Sequence, residues 1–392
     1  MTRRRSYLDW NATAPLRTEA HAAMMGALEH GGNPSSVHAE GRRARALVSQ
    51  ARESVATLVG ATARQVVFTS GATEANATAL SPDLRRRGEA ARPLRLLVSA
   101  IEHPSVLAGG RFAAAEIEQL PVTPAGVVDL PYLDRRLREL TAQGIAPLVS
   151  VMAVNNETGV VQPIDEVVAL TRAAGGIVHV DAVQAAGRVP LRFNDRGIDL
   201  MTLSSHKIGG PQGAGALVVG EGIELGAALI HGGGQEGGLR AGTENVPAIA
   251  GFGAAAEAVA RMGAQETARI AALRERLEKG LRDIAPDTVI FGAEAPRVAN
   301  TVLFAVNGVK AETALIALDL DGVAVSSGAA CSSGKVARSH VLAAMGVSDA
   351  LAAGAIRVSL GYATCDEDIE DFLRAWRKHA EALPTRQQGI AA

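Results

Sequence analysis

A histidine and a lysine, His206 and Lys207, follow the apolar run at residues 200–203 and precede a Gly-Gly-Pro turn at 209–211. A lysine held where a strand gives way to a glycine turn can be partly desolvated, and its amine can then attack a carbonyl carbon to form a Schiff base. Most lysines after strands are solvated surface residues, so this position decides little without other residues that support it.

An acid and an amide end an earlier β-branched run. Residues 177–184 predict a short buried strand that ends near Asp181, with Gln184 three residues further on. A buried carboxylate needs a partner, and the pyridinium nitrogen of pyridoxal phosphate (PLP) is one, because its positive charge makes the ring an electron sink. Gln184 could then hydrogen-bond the phenolic oxygen of the ring. The alternatives are that Asp181 caps a helix and that His179 is a core or metal-ligating histidine.

Other groups of chemically capable residues also follow predicted strands. Three more groups lie directly after predicted strands, as Asp181 and Lys207 do: the SGATE motif at 70–74, His103 and the NNETG motif at 155–159. In open α/β sheets, ligands bind outside the carboxyl ends of the strands. The glycine turn of SGATE opens a predicted helix whose free N–H groups favour a phosphate, and His103 could stack on a flat ring. Any one group could be capping chemistry, but together they predict one ligand site.

These motifs resemble those of the cysteine desulfurases, PLP enzymes of the class V aminotransferase-like, fold type I group. Similar motifs continue in order along nearly the whole chain: YLD at 7–9, NATAP at 11–15, GGGQE at 232–236, RAGTEN at 240–245, SSGAACSSG at 326–334 and IRVSLG at 356–361. The resemblance implies an α/β fold with a mostly parallel, seven-stranded-type sheet in a large PLP-binding domain (15–262). A smaller α+β domain (1–14 plus 263–392) would carry the catalytic cysteine loop.

The resemblance also implies roles for individual residues. Lys207 would be the Schiff-base lysine, His103 would stack on the cofactor ring and Cys331 would be the nucleophile. Asp181 and Gln184 would hold the ring nitrogen and the phenolic oxygen. The other cofactor-binding residues would be Ala72, Thr73, Asn156, Ser204 and His206, with Thr243 reaching the phosphate from the other subunit of a homodimer.

The substrate carboxylate would be bound by Asn156 and Arg357, and a planar guanidinium suits that role because it can pair with both oxygens. Without the resemblance, Arg357 would be interpreted as a solvated charge on an edge strand. No metal is expected at the PLP site, although Cys331 could ligate an iron–sulfur cluster during sulfur transfer.

The setting of Cys331 supports a reactive thiol. The chain has 2 cysteines, Cys331 and Cys365, too few for a zinc ligand set or a disulfide framework. Small residues and glycines surround Cys331, which predicts a mobile loop rather than a packed core. Such a thiol could attack a substrate sulfur and then carry a persulfide to an acceptor. Cys365 is interpreted as a residue without a role in the reaction.

The expected reaction is the conversion of L-cysteine to L-alanine, with sulfur held on Cys331 and passed to an iron–sulfur scaffold or another acceptor protein. The length of the cysteine loop resembles that of the loop in the long-loop group of the family. That group supplies sulfur for iron–sulfur cluster assembly. Gly237 and residues 335–338 depart from the commoner family pattern. A selenocysteine lyase is the nearest alternative, and a PLP aminotransferase would leave Cys331 idle. A non-catalytic nucleotide-binding module would not need Lys207, Asp181 and His103 together.

Composition is consistent with these expectations. A chain of 392 residues exceeds what one core usually supports, and a hydrophobic fraction of 47% suffices for two domains. The net charge of -2 argues against nucleic acid or an anionic membrane as the main partner. The basic start leads into Asp9 rather than an apolar stretch, and no run approaches the ~18 apolar residues needed to span a bilayer. We therefore expect a cytoplasmic enzyme.

Overall fold

A computed structural model describes residues 4–90, 92–328 and 338–388 of the chain. Its strands are β1 (Ser6–Tyr7), β2 (Val66–Thr69), β3 (Arg85–Arg86), β4 (Leu94–Ser99), β5 (Ile117–Leu120), β6 (Ala146–Ser150), β7 (Ile177–Asp181), β8 (Leu200–Ser204), β9 (Gly215–Val219), β10 (Ile223–Glu224), β11 (Val289–Ile290), β12 (Thr301–Ala305), β13 (Val323–Ala324), β14 (Ser326–Ser327) and β15 (Ile356–Ser359). Its helices are α1 (Thr18–His30), α2 (Ala39–Val59), α3 (Ala72–Ala79), α4 (Pro104–Leu107), α5 (Leu130–Ala142), α6 (Ile164–Ala173), α7 (Phe193–Arg196), α8 (Val246–Ile284), α9 (Ala311–Leu320), α10 (His340–Ala344), α11 (Asp349–Ala352) and α12 (Asp366–Gln388).

One seven-stranded sheet, in the order β2-β9-β8-β7-β6-β4-β5, forms the centre of the molecule. Strands β4 to β8 are mutually parallel, whereas β9 is antiparallel to both β8 and β2. Strand β2 therefore runs in the same direction as β4 to β8. Every residue of β6, β7 and β8 is buried, as expected for a sheet covered by helices on both faces. The predicted α/β fold with a mostly parallel sheet is confirmed.

A second, four-stranded antiparallel sheet has the order β11-β12-β15-β14. Its core includes Phe304, Phe372 and Trp376, whose rings meet edge to face at centroid distances of 5.1 to 6.3 Å. Leu8 from the start of the chain belongs to the same core, and β1 pairs with β13. The first residues of the chain thus pack with its last third.

Helix α8 spans both cores and is interrupted at Gly263. The sequence predicts two consecutive helices at 246–262 and 265–283, and Gly263 breaks them with φ 63° and ψ -175°. Phe252 before the break packs in the core of the large sheet, whereas Leu277 after it packs with the small sheet. These contacts support a division into 15–262 and 1–14 plus 263–392, which stays a prediction. In the described parts of the chain, no helix is long and apolar enough to cross a membrane.

We predict that Gly215→Ala destabilises the edge of the large sheet. Gly215 pairs with Thr69 on one side and Ser204 on the other, and an added Cβ would lie 2.6 Å from the carbonyl carbon of Gly71. Because backbone atoms cannot move aside cheaply, the free energy of unfolding should fall by roughly 1–3 kcal/mol, measured by urea titration. The control is Gly26→Ala in α1, where a Cβ meets nothing within 4 Å. Equal stabilities of the two variants would contradict the prediction.

Candidate functional site

A cavity of about 540 Å³ lies at the carboxyl edge of the large sheet. It is lined by all the predicted cofactor and substrate residues except Thr243, namely Ala72, Thr73, His103, Asn156, Asp181, Gln184, Ser204, His206, Lys207 and Arg357. Thr243 is exposed, as a residue directed at a second subunit would be in a single chain. Cys331 lies outside the described residues. The cavity thus brings together residues from widely separated parts of the sequence, many of them at the carboxyl ends of strands.

The phosphate-binding end is formed by the start of α3 and the end of β8. The Gly71 turn opens α3, whose first N–H groups lack partners within the helix and face the side chains that follow β8. His206 contacts the Thr13 hydroxyl with its Nδ1 at 3.1 Å. Burial and, to a smaller extent, the charge of Lys207 lower the pKa of His206 to about 4, so this imidazole is neutral at neutral pH. A neutral ring can donate one hydrogen bond to an anion.

Asp181 lies at the floor of the cavity and is 5% exposed. Its Oδ1 accepts a hydrogen bond from the Val183 N–H at 3.0 Å, and its Oδ2 accepts one from the Asn76 amide at 3.1 Å. The residues after Asp181 form turns rather than a helix, so the alternative of a helix cap is wrong. His179 is a core residue, because its two ring nitrogens contact the hydroxyls of Ser150 and Thr202.

The amine of Lys207 is directed at the first segment of the chain. Its Nζ donates to the carbonyl oxygens of Asn11 and Ala12, each at 2.7 Å. The Gln184 amide donates to the same Asn11 oxygen at 2.9 Å. The segment around Asn11 therefore fixes two of the predicted cofactor residues in position.

Arg357 is a second cation that lines the cavity. Its side chain is 3% exposed, with Nη1 donating to the Asn156 carbonyl oxygen at 3.0 Å and Nη2 to Asp9 Oδ1 at 2.8 Å. Among the described residues, the buried Nε has no hydrogen-bond partner. Strand β15 lies between β12 and β14, so the interpretation of Arg357 as a solvated edge charge is wrong. A buried guanidinium with an unused donor suits a carboxylate ligand.

Both described flanks of the segment that carries Cys331 lie beside Arg357 and Asn156. On the amino-terminal side, Ser326 of β14 pairs directly with Arg357. On the carboxyl-terminal side, the Ser339 hydroxyl donates to Glu157 Oε2 at 2.6 Å. Glu157 also approaches Gly328, where an added Cβ would lie 2.7 Å from Oε2. The chain therefore leaves and rejoins the described structure next to the predicted substrate site.

Known proteins are similar to this chain in sequence and in fold. The model of the family described as aminotransferase class-V matches residues 6–372. The chain belongs to that family. Cysteine desulfurase IscS of Dictyoglomus turgidum is 38% identical, covering 98% of this chain and 96% of its own, and cysteine desulfurase 2 of Trichormus variabilis is 40% identical, covering 96% and 93%. The X-ray structure of a NifS-like protein from Rickettsia africae superposes with a TM-score of 0.85 at 36% identity, covering 95% and 99%.

The residues of the cavity fit PLP, the cofactor of class V aminotransferase-type cysteine desulfurases, and the predicted cofactor is confirmed by the family. A buried carboxylate on the floor matches a pyridinium nitrogen, and a helix start matches a phosphate. Lys207, on the wall between them, offers a primary amine. Within the described ranges, no group of three or more His, Cys, Asp or Glu residues could hold a metal ion.

Sequence reasoning missed the polar residues behind the cavity wall. Asn76 lies one helical turn after Ala72, and that spacing on α3 could have identified it. Ser105 contacts His103, and its position at the start of a helix is ordinary. Glu102 is fully buried and accepts from the Met152 N–H at 2.6 Å. Burial, together with nearby Asp181, raises the pKa of Glu102 well above its usual range, which favours the protonated form.

We predict that Glu157→Gln stabilises the protein more at high pH than at low pH. Burial raises the pKa of Glu157 to about 7, although Ser339 and Arg357 oppose the shift. The native carboxyl thus holds its proton more tightly than the unfolded one, and stability is lost as the pH rises from about 4.5 to about 7. Glutamine has no proton to lose. Its advantage over wild type should therefore grow by up to about 3 kcal/mol across this window.

The measurement is urea unfolding of both proteins at several pH values between 4.5 and 8. An exposed acid, Glu29, provides the control as Glu29→Gln. A stability difference between wild type and Glu157→Gln that stays constant with pH would show that Glu157 titrates normally.

Proposed function

We propose that this protein is a cysteine desulfurase that converts L-cysteine to L-alanine and holds the sulfur as a persulfide on Cys331. Its family uses PLP, and relatives that are 38% to 42% identical over nearly the whole chain are named cysteine desulfurases. The observation that carries the proposal is the pairing of Ser326 with Arg357. It puts the strand leading toward Cys331 beside a buried cation that faces the same cavity as Lys207.

The carboxylate of the substrate is bound, in this proposal, by Arg357 and Asn156. Both residues line the cavity, and the buried Nε of Arg357 has no hydrogen-bond partner among the described residues. The Asn156 carbonyl accepts from Arg357 Nη1, which fixes the orientation of the guanidinium plane. A ligand carboxylate held there would share the cavity with Asp181 of β7 and with Ser204, His206 and Lys207 at the end of β8. The amino acid would thus be oriented by its carboxylate before any bond changes.

Lys207 is the base of the proposed reaction. PLP, when bound, supplies an electron sink for the bond between the substrate α-carbon and its hydrogen. Lys207 Nζ would take that proton, since it lines the cavity and is held by two carbonyl oxygens. Asp181, paired with Asn76 and Val183, would supply the negative charge opposite the ring nitrogen. Gln184 would contact the phenolic oxygen.

The Cys331 thiolate would attack the sulfur of the substrate. In the overall balance, one sulfur atom moves from L-cysteine to the Cys331 thiol, which becomes a persulfide, and L-alanine leaves with the hydrogens that cysteine brought. His103 would serve the proton transfers on the sulfur side. Burial lowers the pKa of His103, with Lys207 and His340 lowering it further and Asp181 opposing, so a neutral ring enters the reaction.

The persulfide would then pass to an acceptor protein such as an iron–sulfur scaffold. This transfer belongs in the cytoplasm, where free thiols stay reduced. The structure of a related protein, SspA, is in complex with cysteine and is 27% identical with a TM-score of 0.73, covering 91% of this chain and 98% of its own. We propose cysteine as the substrate of the present chain as well, because Arg357 and Lys207 line the same cavity.

We predict that Cys331→Ser binds PLP normally but forms no alanine from L-cysteine. A hydroxyl cannot accept sulfur, so turnover should fall by at least about 100-fold, whereas the visible absorption of bound PLP should persist. Alanine formed from L-cysteine and from L-selenocysteine is the measurement. The matched control is Cys365→Ser, because Cys365 lies away from the cavity and contacts Arg4 and Asp368.

Each outcome of this experiment separates the candidate reactions. Full alanine formation from cysteine by Cys331→Ser would eliminate the proposed nucleophile, whereas an aminotransferase would form no alanine from cysteine in either protein. A wild-type protein that ignores cysteine and consumes selenocysteine would be a selenocysteine lyase. Lys207→Ala should abolish the visible absorption and the turnover together.

A second prediction concerns Thr243 and the homodimer. If Thr243 binds the phosphate in the partner subunit, coexpressed Lys207→Ala and Thr243→Ala chains will form mixed dimers that contain one intact site. One of the two sites in each purified mixed dimer is then intact, so the activity per dimer should be about half that of the wild type. The measurement is alanine formation at limiting PLP by differently tagged, purified mixed dimers. If Thr243 served its own chain, the mixed dimers would be no more active than either parent.

A further inference from the structure

A continuous chain of hydrogen bonds connects Asp181 to His103 along the cavity, through Ser105, which lines it, and the fully buried Asn76. Asp181 Oδ2 accepts from the Asn76 amide at 3.1 Å, and the same amide nitrogen lies 2.9 Å from the Ser105 hydroxyl oxygen. The Ser105 hydroxyl in turn lies 2.8 Å from His103 Nδ1. Asn76 is fully buried and Asp181 nearly so. Two side chains outside the predicted site therefore connect two residues within it.

The contacts of His103 determine which groups in this chain donate hydrogen bonds and which accept them. The Ser105 backbone N–H donates to His103 Nδ1 at 3.1 Å, because the histidine caps α4. A backbone N–H can only donate, so Nδ1 carries no proton. The Ser105 hydroxyl must then donate to Nδ1 as well, which leaves its oxygen free to accept.

The direction from the Asp181 end is the same. A carboxylate oxygen accepts, so the Asn76 group that faces it is the NH₂ rather than the carbonyl oxygen. With the amide in that orientation, its second N–H donates to the Ser105 oxygen. The opposite orientation would direct Asn76 Oδ1 at a carboxylate. In the orientation found, Asn76 Oδ1 is buried with no partner among the described residues. That unsatisfied oxygen is the cost of the arrangement.

We propose that Asn76 and Ser105 are positioning residues that hold His103 as the neutral tautomer with its proton on Nε2. Both donors at Nδ1 belong to Ser105, and Asn76 orients the hydroxyl by occupying its acceptor side. The Asp181 carboxylate sets the orientation of Asn76. The Asp181 carboxylate thereby determines, through Asn76 and Ser105, that the proton of His103 lies on Nε2.

The surroundings of His103 agree with a neutral ring. Burial is the main cause that lowers the pKa of His103; among the described charged groups, Asp181 opposes this shift, and Lys207 and His340 add to it. The neighbouring Glu102 carboxyl is buried and accepts from Met152 N–H rather than facing the ring. His340 instead contacts the Glu102 carbonyl oxygen with its Nε2 at 2.9 Å.

The consequence for the reaction, which rests on the proposed function, is that His103 offers an N–H to the substrate. Because Nδ1 is occupied by Ser105, Nε2 is the ring nitrogen that remains for a ligand in the cavity. His103 would therefore meet the substrate as a hydrogen-bond donor through Nε2. It could accept a proton on Nδ1 only by giving up both Ser105 contacts.

The test is the tautomer and titration of His103 in the PLP-bound protein without substrate, followed by nitrogen NMR of ¹⁵N-histidine-labelled samples. The chain has 9 histidines, and the spectrum of His103→Asn assigns the signal of interest. The wild type should show an unprotonated Nδ1 and a protonated Nε2 at neutral pH. Ser105→Ala should raise the apparent pKa of His103 by roughly half to one unit, because one donor to the neutral form is lost.

Three further variants separate positioning from general structural damage. Ser105→Thr retains the hydroxyl and should restore the wild-type titration. Asn76→Leu should shift the titration in the same direction as Ser105→Ala. Thr78→Val on the same helix is the matched control, because the Thr78 hydroxyl donates only to the Glu74 carbonyl oxygen one turn earlier. The pH profile of kcat/KM for alanine formation is recorded on the same proteins.

Two results would overturn the proposal: a wild-type His103 protonated on Nδ1, or a Ser105→Ala protein that titrates like wild type. Should Asn76→Leu fail to fold, the comparison of Ser105→Ala with Ser105→Thr still tests the proposal. The tautomer is measured without substrate, so its outcome is independent of the reaction. If the wild type forms no alanine from L-cysteine, the proposed function fails whatever the tautomer.

Discussion

The common direction of strands β2 and β4 to β8 is the constraint on which the site depends. Because these strands end at one edge, turns that are far apart in the chain open into one cavity. Strand β9 maintains this arrangement by running antiparallel between β2 and β8, which brings the α3 start beside the Lys207 turn. The close approach of Gly215 to Gly71 allows those two elements to meet without a side chain between them.

The buried acids around the cavity differ in charge because their partners differ. Asp181 has a donor on each oxygen, so its negative charge is compensated by hydrogen bonds from Asn76 and Val183. Glu102 has one donor, and burial together with the proximity of Asp181 raises its pKa well above the usual range, which favours the neutral form. The better compensated carboxylate is thus Asp181, the residue proposed to face the ring nitrogen of the cofactor.

Much of this site could be predicted from sequence, and the limits have physical reasons. A strand of continuous apolar residues followed by a glycine or an acid is a local pattern, so the Lys207 and Asp181 turns were found correctly. Asn76 and Ser105 act through contacts between α3 and α4, and helical side chains of these types usually have no such role. Arg357 was predicted as a ligand only through the family resemblance, because its burial depends on β15 having a strand on each side.

The ion pair between Arg357 and Asp9 affects how tightly the cavity can hold its ligands. In the proposed reaction, Arg357 binds the substrate carboxylate while Asp9 stays a second negative partner, so the guanidinium is paired with and without a ligand. The ligand then meets a cation whose charge is already partly compensated, and the gain in electrostatic energy is smaller than it would be for an unpaired cation. Because the proposed substrate and product carry the same carboxylate, Asp9 would weaken the binding of both and favour their departure.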